Sequence, residues 1–79
     1  MAAAQSANSI LTSGIFRGTF TDVPNSDLGW ILSINMASES DTRYTAQFFG
    51  TYNSDGVYFR HRAEGYWGTW KLIQMSSIS

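Results

Sequence analysis

The sequence contains no cysteine and a single histidine, and both scarcities exclude a class of site. Without cysteine the chain forms no disulfide and no Cys-based zinc site, and it has no thiol nucleophile. One histidine excludes a metal site built from several histidines of a single chain. We therefore expect neither a metal nor a cofactor.

Charge is sparse as well, since charged residues make up 14% of the chain and the formal net charge is −1. A nearly neutral chain has little attraction for phosphate backbones, so we expect no nucleic-acid partner. No run of about 20 apolar residues is present, and we expect no membrane insertion. Residues 1–6 lack the basic and apolar parts of a signal peptide. Action outside a cell would then require another route, such as lysis or incorporation into a particle.

Aromatic side chains, in contrast, are abundant and make up 15% of the residues. A chain of 79 residues forms one small domain, which buries only about 60% of the surface that it exposes when unfolded. Each buried ring removes about 150–250 Å² from water, so the rings can sustain a small core. Oligomerisation is the other usual support for such a scaffold, and we expect it here.

Short runs of β-branched and aromatic residues alternate with polar, glycine-containing turns. This pattern predicts an all-β domain, either a small antiparallel sheet or a sandwich-like knob with short turns. We assign the domain to residues 13–76, with tails at 1–12 and 77–79. Ala2–Ala4 favour a short helical turn, and the frayed end of a longer polypeptide is the alternative. The predicted turns are at residues 23–27, 37–41, 53–56 and 63–65.

The clearest strand signal is the alternation between residues 28 and 37. The even-numbered positions are strongly apolar and the odd-numbered ones are mostly small and polar, which predicts a strand with the even-numbered side buried. Trp30 is then a core residue. The apolar positions are Leu28, Trp30, Leu32, Ile34 and Met36.

The next two strands are predicted to form a hairpin around Asn53–Gly56, where Asp-Gly supplies the left-handed conformation of a tight turn. Two registers remain open. A bulge at Gly56 pairs Tyr52 with Tyr58. A four-residue loop pairs Tyr52 with Val57, Gly50 with Phe59 and Phe48 with His61, and places Gln47, Phe49, Tyr58, Arg60 and Arg62 on the opposite face.

In either register Arg60 and Arg62 point to the same side, near an aromatic ring on which a guanidinium can stack. Trp67 and Trp70 are three positions apart in the last predicted strand. Because successive side chains of a strand point to opposite sides, one indole should face away from whatever the other packs against. Either both sides of the sheet are covered, or aromatic and arginine side chains lie exposed together as a binding surface.

Catalysis has little support in the sequence. His61 lies between two arginines in the sequence and is expected to be a strand residue without a catalytic role, and neither a nucleophile elbow nor a phosphate-cradling loop is present. Two carboxylates could still meet across a subunit interface at glycosidase spacing, but no pair is indicated, and we expect no enzyme. The carboxylates fall in predicted turns or strand ends, at Asp22, Asp27, Glu39, Asp41, Asp55 and Glu64.

Carbohydrate binding has more support. Sugar sites commonly combine an aromatic platform with Arg, Asn or Gln side chains that bond hydroxyl or acidic groups. Structural roles are the alternative, since Arg60 could stack to close the core and Trp70 could pack within it. Tyr66 follows a glycine and is the better candidate for exposure, as are the turns. The candidate ligand-binding residues are Asn53, Asp55, Tyr58, Arg60, Arg62, Tyr66, Trp67 and Trp70.

Three stretches of the chain, Tyr44–Phe49, Gly56–Arg60 and Gly65–Leu72, resemble the pyocin-knob type of domain. Such domains occur at the C-terminal ends of phage, prophage and R-type pyocin tail fibres. The Tyr-x-Arg motif followed by Trp-x-x-Trp is the specific part, and the resemblance extends over about residues 14–74.

The resemblance implies a β-rich knob of a virion tail fibre, produced in the bacterial cytoplasm, that helps attach the particle to a bacterial surface. The implied partners are lipopolysaccharide or another surface glycan and other fibre chains, with a homotrimer as one form. Residues 1–12 would be the connection to the fibre. Two alternatives remain, namely a structural tip or connector module without glycan affinity, and a fragment of a polysaccharide depolymerase.

The residues shared with the family could define its fold instead of its ligand site. Specificity would then lie in the turns near Asn25, Glu39, Asn53 and Glu64. The shared residues are Gln47, Tyr58, Arg60, Trp67 and Trp70.

Overall fold

The computed structural model describes residues 5–24, 28–38, 40–52 and 56–73. These residues are mostly strand, with a 3-10 turn at Ala7–Ser9, so the all-β prediction is confirmed. Among them, no helix is long and apolar enough to cross a membrane. The helical turn predicted at Ala2–Ala4 lies outside the described residues. The strands are β1 (Gln5–Ser6), β2 (Gly14–Gly18), β3 (Phe20–Thr21), β4 (Gly29–Asn35), β5 (Thr45–Thr51), β6 (Val57–Ala63), β7 (Tyr66–Trp67) and β8 (Lys71–Ile73).

One antiparallel sheet has the strand order β2-β4-β5-β6-β7, and β8 pairs with the other half of β6. The small strands β1 and β3 form a separate parallel pair. Between β6 and β7, Glu64 and Gly65 both have positive φ, at 51° and 86°. Two such residues form the type I′ turn whose twist matches the flanking strands.

The core lies on one side of the sheet, which we call the covered face. Ala7, Ile10 and Phe20 are buried there against Ile31 of β4 and Phe49 of β5. The rings of Phe20 and Phe49 meet edge to face, with centroids 6.4 Å apart. Ala7 and Ile10 fall within residues 1–12, which the sequence analysis assigned to a tail, so the segment from residue 5 onward contributes to the core.

The buried side of β4 is the opposite of the predicted one. Ile31 is fully buried, whereas Leu28, Ile34 and Met36 are between 42% and 52% exposed, and Trp30 is half-buried. The prediction that Trp30 is a core residue was therefore wrong. The reason is that residues 5–10 and β3 pack against the face that carries Ile31. The alternation of apolar residues within β4 cannot predict which of its faces a distant segment will cover.

The hairpin between β5 and β6 has neither of the two predicted registers. Gly50 pairs with Val57 and Phe49 with Tyr58, because the chain beyond Gly50 continues along β4, with Thr51 opposite Gly29. This register differs from the four-residue loop by two positions, and a shift of two leaves every side chain on its face. The predicted grouping of Gln47, Phe49, Tyr58, Arg60 and Arg62 on one face is therefore confirmed.

Candidate functional site

Arg60 lies between two indole rings on the covered face. Its guanidinium carbon is 3.8 Å from the ring centroid of Trp67 and 4.4 Å from that of Trp70. The side chain is buried, and its Nε donates a hydrogen bond of 3.0 Å to Oε1 of Gln47. Burial lowers the pKa of Arg60 to about 10, since it disfavours the charged form. The expected stacking of an arginine on an aromatic ring is therefore present, but in the interior.

Gln47 connects this stack to the segment that covers the sheet. Its Nε2 donates to the backbone oxygens of Ala7 and Ile10, at 2.9 and 3.0 Å. The Trp70 indole donates to the backbone oxygen of Asp22 at 2.9 Å. Because buried polar groups are costly unless they are paired, these bonds attach the cover firmly to the sheet.

The two indoles do not face opposite ways, so the prediction of one continuous strand was wrong. β7 ends at Trp67 and β8 begins at Lys71. Between them the backbone N–H of Gly68 donates to the backbone oxygen of His61 at 2.9 Å. Because this connection is not regular strand, the alternation of side chains is interrupted, and both rings reach Arg60.

The structure brings five predicted site residues to the covered face: Tyr58, Arg60, Arg62, Trp67 and Trp70. Tyr58 packs against the Phe49 ring, with centroids 6.2 Å apart. Arg62 is half-buried, and its Nε donates to the backbone oxygen of Thr42 at 3.0 Å.

Tyr66 is separate from this group. It follows the type I′ turn, pairs with Ala63 on the other side of the sheet and is 80% exposed. Its predicted exposure is thus confirmed. Asn53 and Asp55 lie outside the described residues. Ligand binding by any of these residues stays a prediction.

The side of the sheet opposite the covered face carries many apolar side chains, and we call it the open face. In its middle Trp30, Leu32, Phe48 and Phe59 are half-buried. Exposed apolar side chains surround them, among them Ile34 at 42%. Among the described residues, the large apolar side chains of this face are thus half-buried or exposed, and its aromatic residues lie apart from the buried Arg60.

An open groove of about 520 Å³, which was not predicted from the sequence, lies at the β2 edge. Arg17 of β2 and Tyr52, just after β5, contribute to its wall. Tyr52 directly precedes the predicted turn at residues 53–56. This position beside a turn is the feature of the sequence from which its exposure could have been predicted. The groove is lined by Gln5, Ile15, Phe16, Arg17, Gly18, Leu28 and Tyr52.

Two of the described carboxylates, those of Asp41 and Asp22, are bonded to other side chains of the protein. Asp41 pairs with Arg43 at 2.9 Å, and this hydrogen-bonded partner lowers the pKa of Asp41 to about 2. Asp22 accepts a hydrogen bond of 2.8 Å from Oγ of Ser6. Within the described ranges, no three His, Asp or Glu side chains cluster closely enough to hold a metal ion. Asp27, Glu39 and Asp55 lie outside these ranges.

No protein-family model matches the sequence, and no curated protein matches it. Among solved structures, the fold is similar to that of an N-truncated R2-type pyocin tail fibre, with a TM-score of 0.75 at 20% sequence identity. The match covers 91% of this chain and 30% of the fibre chain, so this chain spans less than a third of the structure that it matches. The resemblance seen in the sequence is thereby confirmed for the fold.

Proposed function

We propose that the chain is a knob domain of a phage or prophage tail fibre, which helps attach the particle to a bacterial cell by binding lipopolysaccharide or another surface glycan. The observation that carries the proposal is the fold shared with the R2-type pyocin tail fibre over 91% of the chain. The protein would act outside the cell as part of the virion, with other fibre chains as partners.

Adhesion also agrees with the positions of the aromatic residues, because some pack around the buried Arg60 and others are exposed to solvent. The Arg60 stack is occupied by protein groups, so it serves the fold and leaves ligand contacts to side chains that reach solvent. Tyr52 and Tyr66 are 56% and 80% exposed, and each adjoins a turn. A rigid sheet that presents recognition residues at its turns is a common arrangement for a binding domain.

We propose that binding takes place without catalysis. A depolymerase would need two carboxylates across a groove, about 5–10 Å apart. The contacts of Asp41 and Asp22 with Arg43 and Ser6 support a structural role for those two groups. Incubation with the glycan that binds best should therefore leave the length of that glycan unchanged, as measured by size-exclusion chromatography.

The proposal is tested by an array of surface glycans and lipopolysaccharides, probed with the purified chain and with the chain fused to a trimeric scaffold. The trimeric fusion can form a binding site that is shared between several chains. Light scattering measures the molecular mass of each sample. We expect specific binding in at least one format. Absence of binding in both formats, by protein that melts cooperatively, would overturn the adhesion function.

The open face favours a second candidate function, assembly with another copy of this chain. Its centre is apolar, and the charged residues Arg17 and Lys71 lie on strands at its edges, which is the usual arrangement of an interface core and rim. With about 4.8 Å between strands and about 3.4 Å per residue, the face measures about 24 by 20 Å. Two copies would bury about 1,000 Å², the lower limit for a specific interface.

Assembly is tested by light scattering over a range of protein concentrations. The double variant Ile34→Glu/Ile73→Glu places two charges on the open face, and both positions are exposed enough to accept them. We expect the wild-type chain to associate and this variant to remain monomeric with little change in Tm. The control Thr12→Glu/Ser40→Glu adds the same charge at exposed polar positions. A monomeric wild type at every concentration would exclude self-assembly by the isolated chain.

A further inference from the structure

The groove at the β2 edge is an open depression of the surface, so a ligand bound there would keep part of its own surface in water. Its volume of about 520 Å³ lies within the range of about 300–1,000 Å³ that is usual for small-molecule sites. Arg17 points to the open-face side of the sheet, because it pairs with Trp30. Phe16, which also lines the groove, packs against the core cluster on the covered face. The groove therefore lies along the β2 edge between the two faces, away from the Arg60 stack.

Two residues of the groove wall are neighbours in sequence of predicted recognition turns. The backbone N–H of Tyr52 donates to the backbone oxygen of Leu28 at 3.1 Å. Leu28 directly follows residues 25–27 in the chain, and Tyr52 directly precedes residues 53–55. This bond joins Tyr52 and Leu28 at the groove.

The groove also brings together an aromatic ring and a cation that have no other described partner. Tyr52 is 56% exposed and contacts none of the other rings in the described part of the chain. Arg43, Arg60 and Arg62 each donate hydrogen bonds within the protein. Arg17, which is exposed, makes no hydrogen bond or ion pair to any described residue.

We propose that this groove is the receptor subsite and that it binds an anionic sugar residue of a surface glycan. The apolar face of the sugar ring stacks on Tyr52 and Leu28, while its carboxylate or phosphate pairs with the Arg17 guanidinium, which can present a bidentate fork to either group. Gln5, also exposed on the groove wall, supplies an amide for hydroxyl groups. This subsite rests on the proposed adhesion function and places the specificity of that function at the β2 edge.

Binding is measured by NMR titration of the full chain with three probes: an oligogalacturonate, its carboxyl-reduced neutral analogue and a hexose phosphate. We expect shifts at the amides of Gly18 and Leu28 with at least one anionic probe, and binding at least 10-fold weaker with the neutral one. Tyr52→Ala and Arg17→Ala should each weaken binding about 10-fold or more without changing Tm. The two anionic probes distinguish a carboxylate from a phosphate as the preferred group.

Arg43→Ala is the matched control, since it removes an exposed arginine away from the groove, and it should bind as the wild type does. Equal affinity for neutral and anionic probes would overturn the subsite. Loss of array binding in Tyr66→Ala, with Tyr52→Ala unaffected, would also overturn it while leaving the adhesion function intact. If no probe and no array glycan binds in either format, both proposals fail.

Discussion

At the scale of single residues, Arg60 joins parts of the molecule that are far apart in the sequence. It lies between the rings of Trp67 and Trp70 and donates to Gln47, which in turn holds the backbone at Ala7 and Ile10. A charged guanidinium is tolerated in this buried place because two ring faces and a side-chain oxygen replace part of its hydration. We therefore assign Arg60 to the stability of the fold.

Replacing Arg60 tests this assignment. Arg60→Ala opens a gap between the two indoles and leaves the Gln47 oxygen without its donor, so we expect a loss of about 3 kcal/mol in the free energy of unfolding. Arg60→Lys should cost nearly as much, because an ammonium cannot fill a planar gap. The control Arg17→Ala should change stability by less than about 0.5 kcal/mol. Urea denaturation provides the values, and equal effects at the two arginines would contradict the assignment.

Asp41 gives a prediction about pH. Two guanidinium nitrogens of Arg43 lie 2.9 Å from its carboxylate oxygens, and the backbone N–H of Arg43 lies 3.2 Å from one of them. These bonds lower the pKa of Asp41 from 3.8 to about 2. Because the folded value is the lower one, the bonds stabilise the fold fully above pH 3.8 and lose this effect as the pH falls toward 2.

An NMR titration of the Asp41 carboxyl group measures this directly. In Arg43→Ala the midpoint should rise toward 3.8 without reaching it, since the backbone hydrogen bond remains. A midpoint at the ordinary value in the wild type would show that the ion pair does not form in solution.

At the scale of the elements, β4 and β5 approach closely at two glycines. A methyl group on Gly29 would collide with the backbone oxygen of Gly50, whereas one on Gly50 would lie 2.6 Å from the Trp30 indole on the open face. The backbone of a paired strand cannot move without breaking its ladder, but a half-buried indole can swing toward solvent. The two substitutions should therefore differ in cost.

We expect Gly29→Ala to lower the free energy of unfolding by about 3 kcal/mol and Gly50→Ala by about 1 kcal/mol. Gly50→Ala should in addition shift the NMR signal of the Trp30 indole N–H. Thermal and urea unfolding of both variants give the comparison. Similar costs at the two positions would mean that the Trp30 ring is held as firmly as the backbone.

At the scale of the whole molecule, the described residues form one main sheet with a cover on one side. The cover is formed by residues 5–10, by β3 and by Trp70, all of which belong to or contact the core cluster. Among the described residues, the large apolar side chains of the open face are half-buried or exposed, and the proposed self-assembly would use this surface.

The N-terminal cover is tested by a pair of neighbouring substitutions. Ala7 is fully buried and Asn8 is exposed, so Ala7→Asp and Asn8→Asp introduce the same side chain into opposite surroundings. We expect Ala7→Asp to cost about 3 kcal/mol or more, since it buries a carboxylate without a partner. Asn8→Asp should change stability by less than about 1 kcal/mol. Equal unfolding curves would show that residues 5–10 are not part of the cooperative unit.

Several particulars of this fold could be predicted from the sequence because they depend on neighbouring residues. The exposure of Tyr66 follows from the Glu64-Gly65 turn, and the shared face of Gln47, Tyr58 and Arg60 follows from the two-residue period of strands. The register of the β5–β6 hairpin could not be predicted from its own residues. Thr51 pairs with Gly29 of β4 and not with β6, so the loop between β5 and β6 is longer than the local turn pattern indicates. The groove at Tyr52 could not be predicted either, since it combines residues of β1 and β2 with Leu28, just before β4, and Tyr52, just after β5.

Local spacing in the sequence was enough to establish an all-β chain, most of its strands and the side chains that share a face. Long-range packing established the rest. Residues 5–10 and β3 pack against the face of β4 that carries Ile31, and the face that carries Trp30 has no such contact with them. The residue pattern of β4 alone does not show which face these distant segments will cover. Long-range packing also brought Trp67 and Trp70 to one guanidinium, because the chain leaves the strand conformation after Trp67. A strand pattern shows which side chains point together, but the face that loses water depends on the segment that packs against it.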